Sequence, residues 1–196
     1  TSEFAALMFV PSVAPVNMLY RDFKYGPMLY VKRVRIMDHC EDLIPQYLRF
    51  VQGIVDSSDL PLNVSREILQ NNRQVDIIKN SVTKKIIDTF EEMKESEYDD
   101  YLKIYKEFGR VLKEGIHFDF SRRETIADLL LFATTESEEG KFRTLKEYVA
   151  DMKEGQEEIY YIVGSSLADA ANSPYLEAFR QNGFEVIFMT NDIDDF

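Results

Sequence analysis

A chain of 196 residues, 45% of them hydrophobic, holds enough apolar side chains for one large or two small domains with a sizeable core. Its 35 acidic and 23 basic residues leave a formal charge of −12, which argues against nucleic-acid binding and attachment to anionic membranes, since both depend on a positive surface. Cys40 is the only cysteine, so no internal disulfide can form, and a reducing, cytoplasmic compartment is expected.

In chain order, Phe4 to Val10 predicts a buried strand ended by Pro11. The uncharged run Phe4 to Tyr20 is preceded by Glu3 and broken by Pro11 and Pro15, so it suits neither a targeting segment nor a bilayer-spanning helix. The first residue is not methionine and the last residues are acidic, Asp192 to Phe196, as expected of a piece of a longer protein. The loop Ala14 to Tyr20 carries Val16, Met18, Leu19 and Tyr20. Two readings stand: these side chains fold back onto the core, or they form an exposed apolar patch that binds partners. Leu29 to Met37 predicts one strand, with Val34 and Ile36 on one side and Arg33 and Arg35 on the other. Pro45 opens a short helix through Phe50, and Val51 to Asp56 returns as a strand. No two-residue turn is recognisable between these pieces, so a mixed sheet is expected rather than a ladder of hairpins.

The stretch Asp59 to Gln70 organises the rest. Pro61 biases Leu60 towards extended backbone, and Leu60, Leu62 and Val64 alternate so that one side can lie on a core. Ser65 can cap the turn that follows, which leaves Arg66 beside the free N–H groups of a helical start. A cation there opposes the helix dipole. Arg66 is therefore either an ordinary solvated arginine or one aimed at an anion brought by another domain or molecule.

Beyond it, Asn71-Asn72-Arg73-Gln74 offers a cap, and Val75, Ile78, Val82, Ile86, Phe90 and Met93 recur at helical spacing. Lys79, Lys84 and Lys85 occupy the opposite, solvated face. The carboxylates between Glu91 and Asp100 lack the Asp-x-Asp-x-Asp-Gly pattern of a calcium loop. Tyr98, Tyr101, Leu102, Tyr105, Phe108 and Leu112 form the next helical stripe, closed by Gly115. Ser121 to Glu124 and Thr144 to Glu147 both read as capping boxes, separated by a mobile polar loop, Thr135 to Lys141. Ile159 to Val163 and Phe184 to Met189 predict buried parallel strands. Their connection starts a helix at Ser173-Pro174 and ends it at Gly183, giving a right-handed crossover. The fold class expected is α/β (α+β): two α-β-α modules joined by long helices, with a mixed sheet in the first and a parallel βαβ unit in the second. The boundaries are 1–95 for the larger module, 96–118 for the connecting helical segment and 119–196 for the smaller module.

Other chemistry is poorly supported. Gly164-Ser165-Ser166 lies between a strand and a helix, where N–H groups can hold phosphate, but both phosphate-loop patterns are missing. Asp38-His39-Cys40-Glu41 has the composition of a metal site without ligand spacing, and His117 is isolated. Ser57 and Ser58 lack the glycines of a nucleophile elbow.

Residues Val55 to Gln70, with Ser65-Arg66-Glu67-Ile68-Leu69-Gln70 at their end, closely resemble a signature of the heat shock protein 90 family, in its bacterial HtpG-like branch. The resemblance continues through Leu29 to Val34, Leu43 to Leu48, Ile159 to Ile162 and Phe184 to Val186, and corresponds to that family's middle domain. It implies a segment of an ATP-dependent chaperone in which Arg66 reaches the γ-phosphate of ATP held by the N-terminal domain, with Asn63 and Gln70 as companions. It also implies that Val16, Met18, Leu19 and Tyr20 help hold client proteins, although Val16 and Leu19 are aliphatic where the family often has aromatic residues. ATP and Mg2+ would be cofactors of the full-length protein, an ATPase; the fragment itself is expected to hold no cofactor or metal and to have no enzyme activity. It is expected to be monomeric, whereas the full-length homodimer is joined through a C-terminal dimerisation domain. The competing reading is a free-standing α/β enzyme that binds phosphate or nucleotide at Gly164 to Ser166.

Overall fold

The computed structural model describes residues 3–63, 66–69 and 72–196, without the side chains of residues 66 and 68. The chain separates into two compact units, Thr1–Val111 and Leu112–Phe196.

The first unit is built on a mixed sheet of β1 (Phe4–Phe9), β2 (Met28–Val31), β3 (Val34–Met37) and β4 (Gln52–Ser57), in the order β1-β4-β2-β3. β1 pairs antiparallel with β4, placing Leu7 opposite Ile54, while β2 runs parallel to β4 with Leu29 beside Val55. Leu29, Val31, Val55 and Ser57 lie on the buried face. Helix α2 (Arg73–Ser96) packs against β1 and the 3-10 turn Glu41–Leu43, and buries Val75, Ile78, Val82, Ile86 and Phe90, as their spacing predicts. Asn72 caps it by accepting the Gln74 N–H at 2.8 Å. Helix α3 (Tyr98–Phe118) contributes Tyr101, Tyr105 and Phe108 to the core, where the Phe50 and Phe108 rings stack with centroids 4.4 Å apart. It runs through Gly115 to Phe118 instead of closing there; a glycine inside a helix costs only about 1 kcal/mol, which packing readily offsets.

Two expectations for this sheet need correction. Leu29 to Met37 is a hairpin of β2 and β3, joined by a two-residue turn at Lys32 and Arg33. Both residues have positive φ, 50° and 66°, the signature of the tight turn whose twist matches that of the strands it joins. That conformation ordinarily calls for Asn and Gly, and a bulkier side chain there costs about 1–2 kcal/mol per residue. The second correction concerns β1, which is an edge strand paired, among the described residues, with β4 alone; Leu7 is 68% exposed and Phe9 is exposed too. A hydrophobic run does not distinguish an edge from a central strand.

Near the start of β2, Gly26 adopts φ +98°, and a Cβ there would lie 2.3 Å from the Cys40 carbonyl oxygen. The Cys40 N–H donates to the Pro27 carbonyl at 3.0 Å, and its side chain is fully buried.

In the second unit β5 (Tyr160–Val163) pairs parallel with β6 (Val186–Met189), as expected. Residues 132–135 run along the other side of β6: the Phe188 N–H donates to Ala133 and the Thr135 N–H to Val186. β5 is therefore at the edge, and Tyr161 and Val163 are exposed rather than buried. Its short helices are α4 (Arg123–Leu129), α5 (Leu145–Ala150), α6 (Leu167–Ala171) and α7 (Leu176–Asn182). Thr144 and Glu147 form the predicted capping box of α5, and Gly183 ends α7 at φ +69°. The Ser121 box does not form. Asp119 caps the preceding 3-10 turn instead, accepting the Arg122 N–H and the Ser121 hydroxyl.

This unit has a polar core. Glu185 accepts from the Thr134 hydroxyl at 2.5 Å and from Arg143 Nη1 at 2.8 Å, while Arg143 also pairs with Asp151. Partial burial pushes the Arg143 pKa down, but hydrogen bonds and the charges of Asp151 and Glu185 outweigh it and hold the pKa above its ordinary value. The Tyr148 hydroxyl donates to the Glu185 carbonyl at 2.7 Å and accepts the Tyr160 N–H at 3.0 Å, tying α5 to β5 and to the residue before β6.

Candidate functional site

The segment from Ser57 to Asn72 leaves the carboxyl end of β4 and is fixed at both ends. At its start the Asp59 N–H donates to Ser57 Oγ at 3.3 Å, the Glu3 N–H to Asp59 Oδ2 at 2.7 Å, and the Ser58 N–H to the Glu3 carbonyl. Leu60 then enters the core. At its far end α1 (Arg66–Leu69) buries Leu69, and the Asn72 N–H donates to the Leu69 carbonyl at 3.2 Å before Asn72 caps α2. Between these anchors Leu62 is 53% exposed and Asn63 is exposed. The expected alternation of Leu60, Leu62 and Val64 fails at Leu62, because residues 62 and 63 form a turn and not extended backbone. Arg66 begins α1, as expected of its position; its side chain, with Val64, Ser65 and Gln70, lies outside the described residues.

The loop after β1 winds through successive turns, with Met18 N–H donating to Pro15, Tyr20 to Asn17 and Phe23 to Tyr20. Arg49, a buried cation, reaches into it: Nε donates to the Met18 carbonyl at 3.1 Å and Nη1 to the Gln46 carbonyl at 3.0 Å. The Ala14 N–H is tied to Glu107 at 3.1 Å. The Met18 side chain lies in the core at 4% exposure, so it anchors the loop and offers no surface. Val13, Val16, Leu19 and Tyr20 all face solvent, Val16 at 95%. Of the two sequence readings, the exposed patch describes Val16, Leu19 and Tyr20, and the core reading describes Met18.

In the glycine-serine corner after β5, the donors of Gly164 and Ser165 already have acceptors. The Gly164 N–H donates to the Met189 carbonyl, and both the N–H and hydroxyl of Ser165 donate to Asp169 Oδ2, at 3.0 and 3.1 Å. A carboxylate thus occupies the place a phosphate would take, and the helix behind it has only five residues. Among the described residues no cluster of His, Cys, Asp and Glu could hold a metal ion, and no helix is long and apolar enough to cross a membrane. The exposed pair that sequence reasoning passed over is Lys32-Arg33. The one available signal was a two-residue break between alternating runs, and no Asn or Gly marks it.

The family model described as Hsp90 protein matches residues 1–196. The chain belongs to the Hsp90 family. It is 56% identical over 194 residues to the chaperone protein HtpG of Geobacter metallireducens, covering 99% of this chain and 30% of that protein. The HtpG of Geobacter sulfurreducens is 55% identical over 195 residues, covering 100% of this chain and 30% of its own length. The chain therefore spans about a third of the length of the curated relatives it matches. Among solved structures, the middle domain of a Plasmodium falciparum heat shock protein superposes with a TM-score of 0.84 at 34% identity, over 100% of this chain and 75% of that one. The mixed four-stranded sheet followed by a parallel pair is thus the fold of an Hsp90 middle domain.

Proposed function

We propose that this chain is the middle domain of a cytoplasmic, ATP-dependent chaperone that works as a homodimer. In that reading ATP and Mg2+ are bound by an N-terminal domain, and Arg66 is delivered to the γ-phosphate when the domains close. An arginine there offsets the charge that builds on the transferring phosphoryl group. Asn63 and Gln70 position the segment or a water by hydrogen bonding, and Val16, Leu19 and Tyr20 contact clients while Met18 holds their loop. The isolated chain binds no nucleotide and catalyses nothing by itself.

The observation that carries this reading is the family match over the whole chain, Arg66 segment included. Its anchoring supports it: Leu60 and Leu69 are buried while the turn between them is exposed, as suits a segment presented to another domain. The competing phosphate-binding enzyme has little to rest on, since Asp169 takes the Ser165 donors it would need.

Single-turnover hydrolysis by the full-length protein at saturating ATP tests the proposal. Arg66→Ala should hydrolyse ten-fold slower or worse, with a smaller loss of ATP affinity; an arginine finger can contribute ~10³-fold. Arg66→Lys should recover little, because lysine keeps the charge but loses the planar two-pronged donor. Equal rates for all three proteins would return Arg66 to the solvated surface.

A further inference from the structure

The loop that carries Val16, Leu19 and Tyr20 continues into the wall of a cavity of about 350 Å³. Phe23, in that wall, donates its N–H to the Tyr20 carbonyl at 3.1 Å. Arg49, which holds the Met18 carbonyl, lies in the wall as well. The exposed patch and the cavity are therefore parts of one hydrogen-bonded frame. The volume is at the small end for ligand pockets and suits one or two side chains of a polypeptide.

The wall mixes two chemistries. Phe9, Phe23 and Met28 supply apolar surface, and Phe9 is 53% exposed. Lys24, Arg35 and Arg49 supply positive charge and His39 a ring N–H donor, against one carboxylate, Asp38, among the described residues that line it. Asp38 is taken by Arg35. Lys24 and His39 are exposed, and neither side chain has an ion pair or hydrogen bond among the described residues. In a chain of net charge −12 such a cluster is a local exception. Its complement is a carboxylate flanked by apolar side chains. The cavity lies at the amino end of β4, where Gln52 and Gly53 line it, whereas the Arg66 segment departs after Ser57, about 17 Å further along the strand. Its donors thus stand apart from the segment that would meet a nucleotide.

We infer that this cavity is an acid-selective subsite of the client surface. It takes the carboxylate of an Asp or Glu side chain in an extended client segment whose apolar neighbours lie on Val16, Leu19 and Tyr20. Lys24 supplies the charge and His39 a second donor, while Arg49 keeps loop and cavity in register. This inference rests on the proposed client role of the loop and adds to it a preference for clients that carry a carboxylate beside apolar residues.

The test uses the full-length protein and three fluorescently labelled, unfolded peptides, identical except for Asp, Asn or Lys at one position in an apolar stretch, titrated by fluorescence anisotropy. Wild type should bind the Asp peptide about three- to five-fold tighter than the Asn peptide, the scale of one partly exposed charge pair, and the Lys peptide weakest. The ratio should shrink as salt is raised. Lys24→Gln/His39→Gln should bind the Asp and Asn peptides alike, at the wild-type affinity for the Asn one, and Lys24→Glu should reverse the order in favour of Lys. Both residues are exposed, so these variants should melt within a few degrees of wild type; should one melt low, the wild-type ratios decide alone. Equal binding of the three peptides by wild type, or a preference for Asp that survives Lys24→Gln/His39→Gln, would overturn the inference. If that equal binding is weakened for all three by Val16→Ser/Leu19→Ser, the client role of the loop still stands. Peptides indifferent to Val16→Ser/Leu19→Ser would overturn both.

Discussion

Among the described residues two strand pairs run parallel, and their carboxyl ends differ. After β5, the Gly164-Ser165 corner turns inward, with the Met189 carbonyl taking the Gly164 N–H and Asp169 taking the Ser165 N–H. After β2 and β4, the chain leaves Lys32, Arg33 and Asn63 in solvent on a backbone tied down at Ser57, Asp59 and Leu60. Strand order alone would make either end a candidate ligand site. What separates them is whether the polar groups already have partners.

The difference can be broken from either side. The largest effect is expected in the second unit, where Glu185→Ala removes the acceptor for Thr134 and one of the two acidic partners of Arg143. A loss of about 2–3 kcal/mol in urea unfolding should follow, since truncating one partner of a buried pair strands the other; a change within experimental error would show the polar core to be dispensable. Asp169→Ala opens the closed corner by freeing the Ser165 donors, and should lower stability by about 1 kcal/mol, the usual scale of a lost local cap. A larger loss would mean that the corner supports the β5–β6 pair itself. In the open region, Arg66→Ala should change the stability of this chain by less than about 1 kcal/mol, as surface substitutions do, in sharp contrast to its effect on hydrolysis; a cooperative destabilisation on denaturant titration would place its side chain in a structural role. Smallest of all, Val16→Ser with Leu19→Ser should shift the melting temperature by no more than a few degrees, roughly the consequence of a change under 1 kcal/mol, while weakening capture of an unfolded client protein. Unfolding instead would assign both side chains to the core.

Much of this was legible from residue order. Val75, Ile78, Val82, Ile86 and Phe90 gave α2 through spacing alone, Thr144 with Glu147 gave the start of α5, and Gly183 gave the end of α7. The failures have a common cause. Leu7, Phe9, Tyr161 and Val163 are hydrophobic in strands that end up at an edge, and lateral position is decided by partners far away in sequence. Lys32-Arg33 carries no turn chemistry, so the hairpin is imposed by the pairing of β2 with β3 and β4. Ser121 lost its capping role to Asp119, a competition between neighbours that pattern matching does not rank. For the candidate site, the position of Arg66 at a helical start was readable. The anchoring role of Met18 was not, because it depends on Arg49 arriving from another part of the chain.

The burial of Cys40 has a practical corollary. The only thiol in the chain is fully buried, on a backbone that lies against Gly26 and bonds to the Pro27 carbonyl. Alkylating reagents can reach it only when this part of the first unit opens, so the rate of its modification is a built-in clock for that opening. The native chain is at the same time silent to thiol-reactive dyes. A single cysteine introduced on the 13–20 loop or beside Asn63 would then be labelled alone, and its motion could be followed without first engineering the natural thiol away.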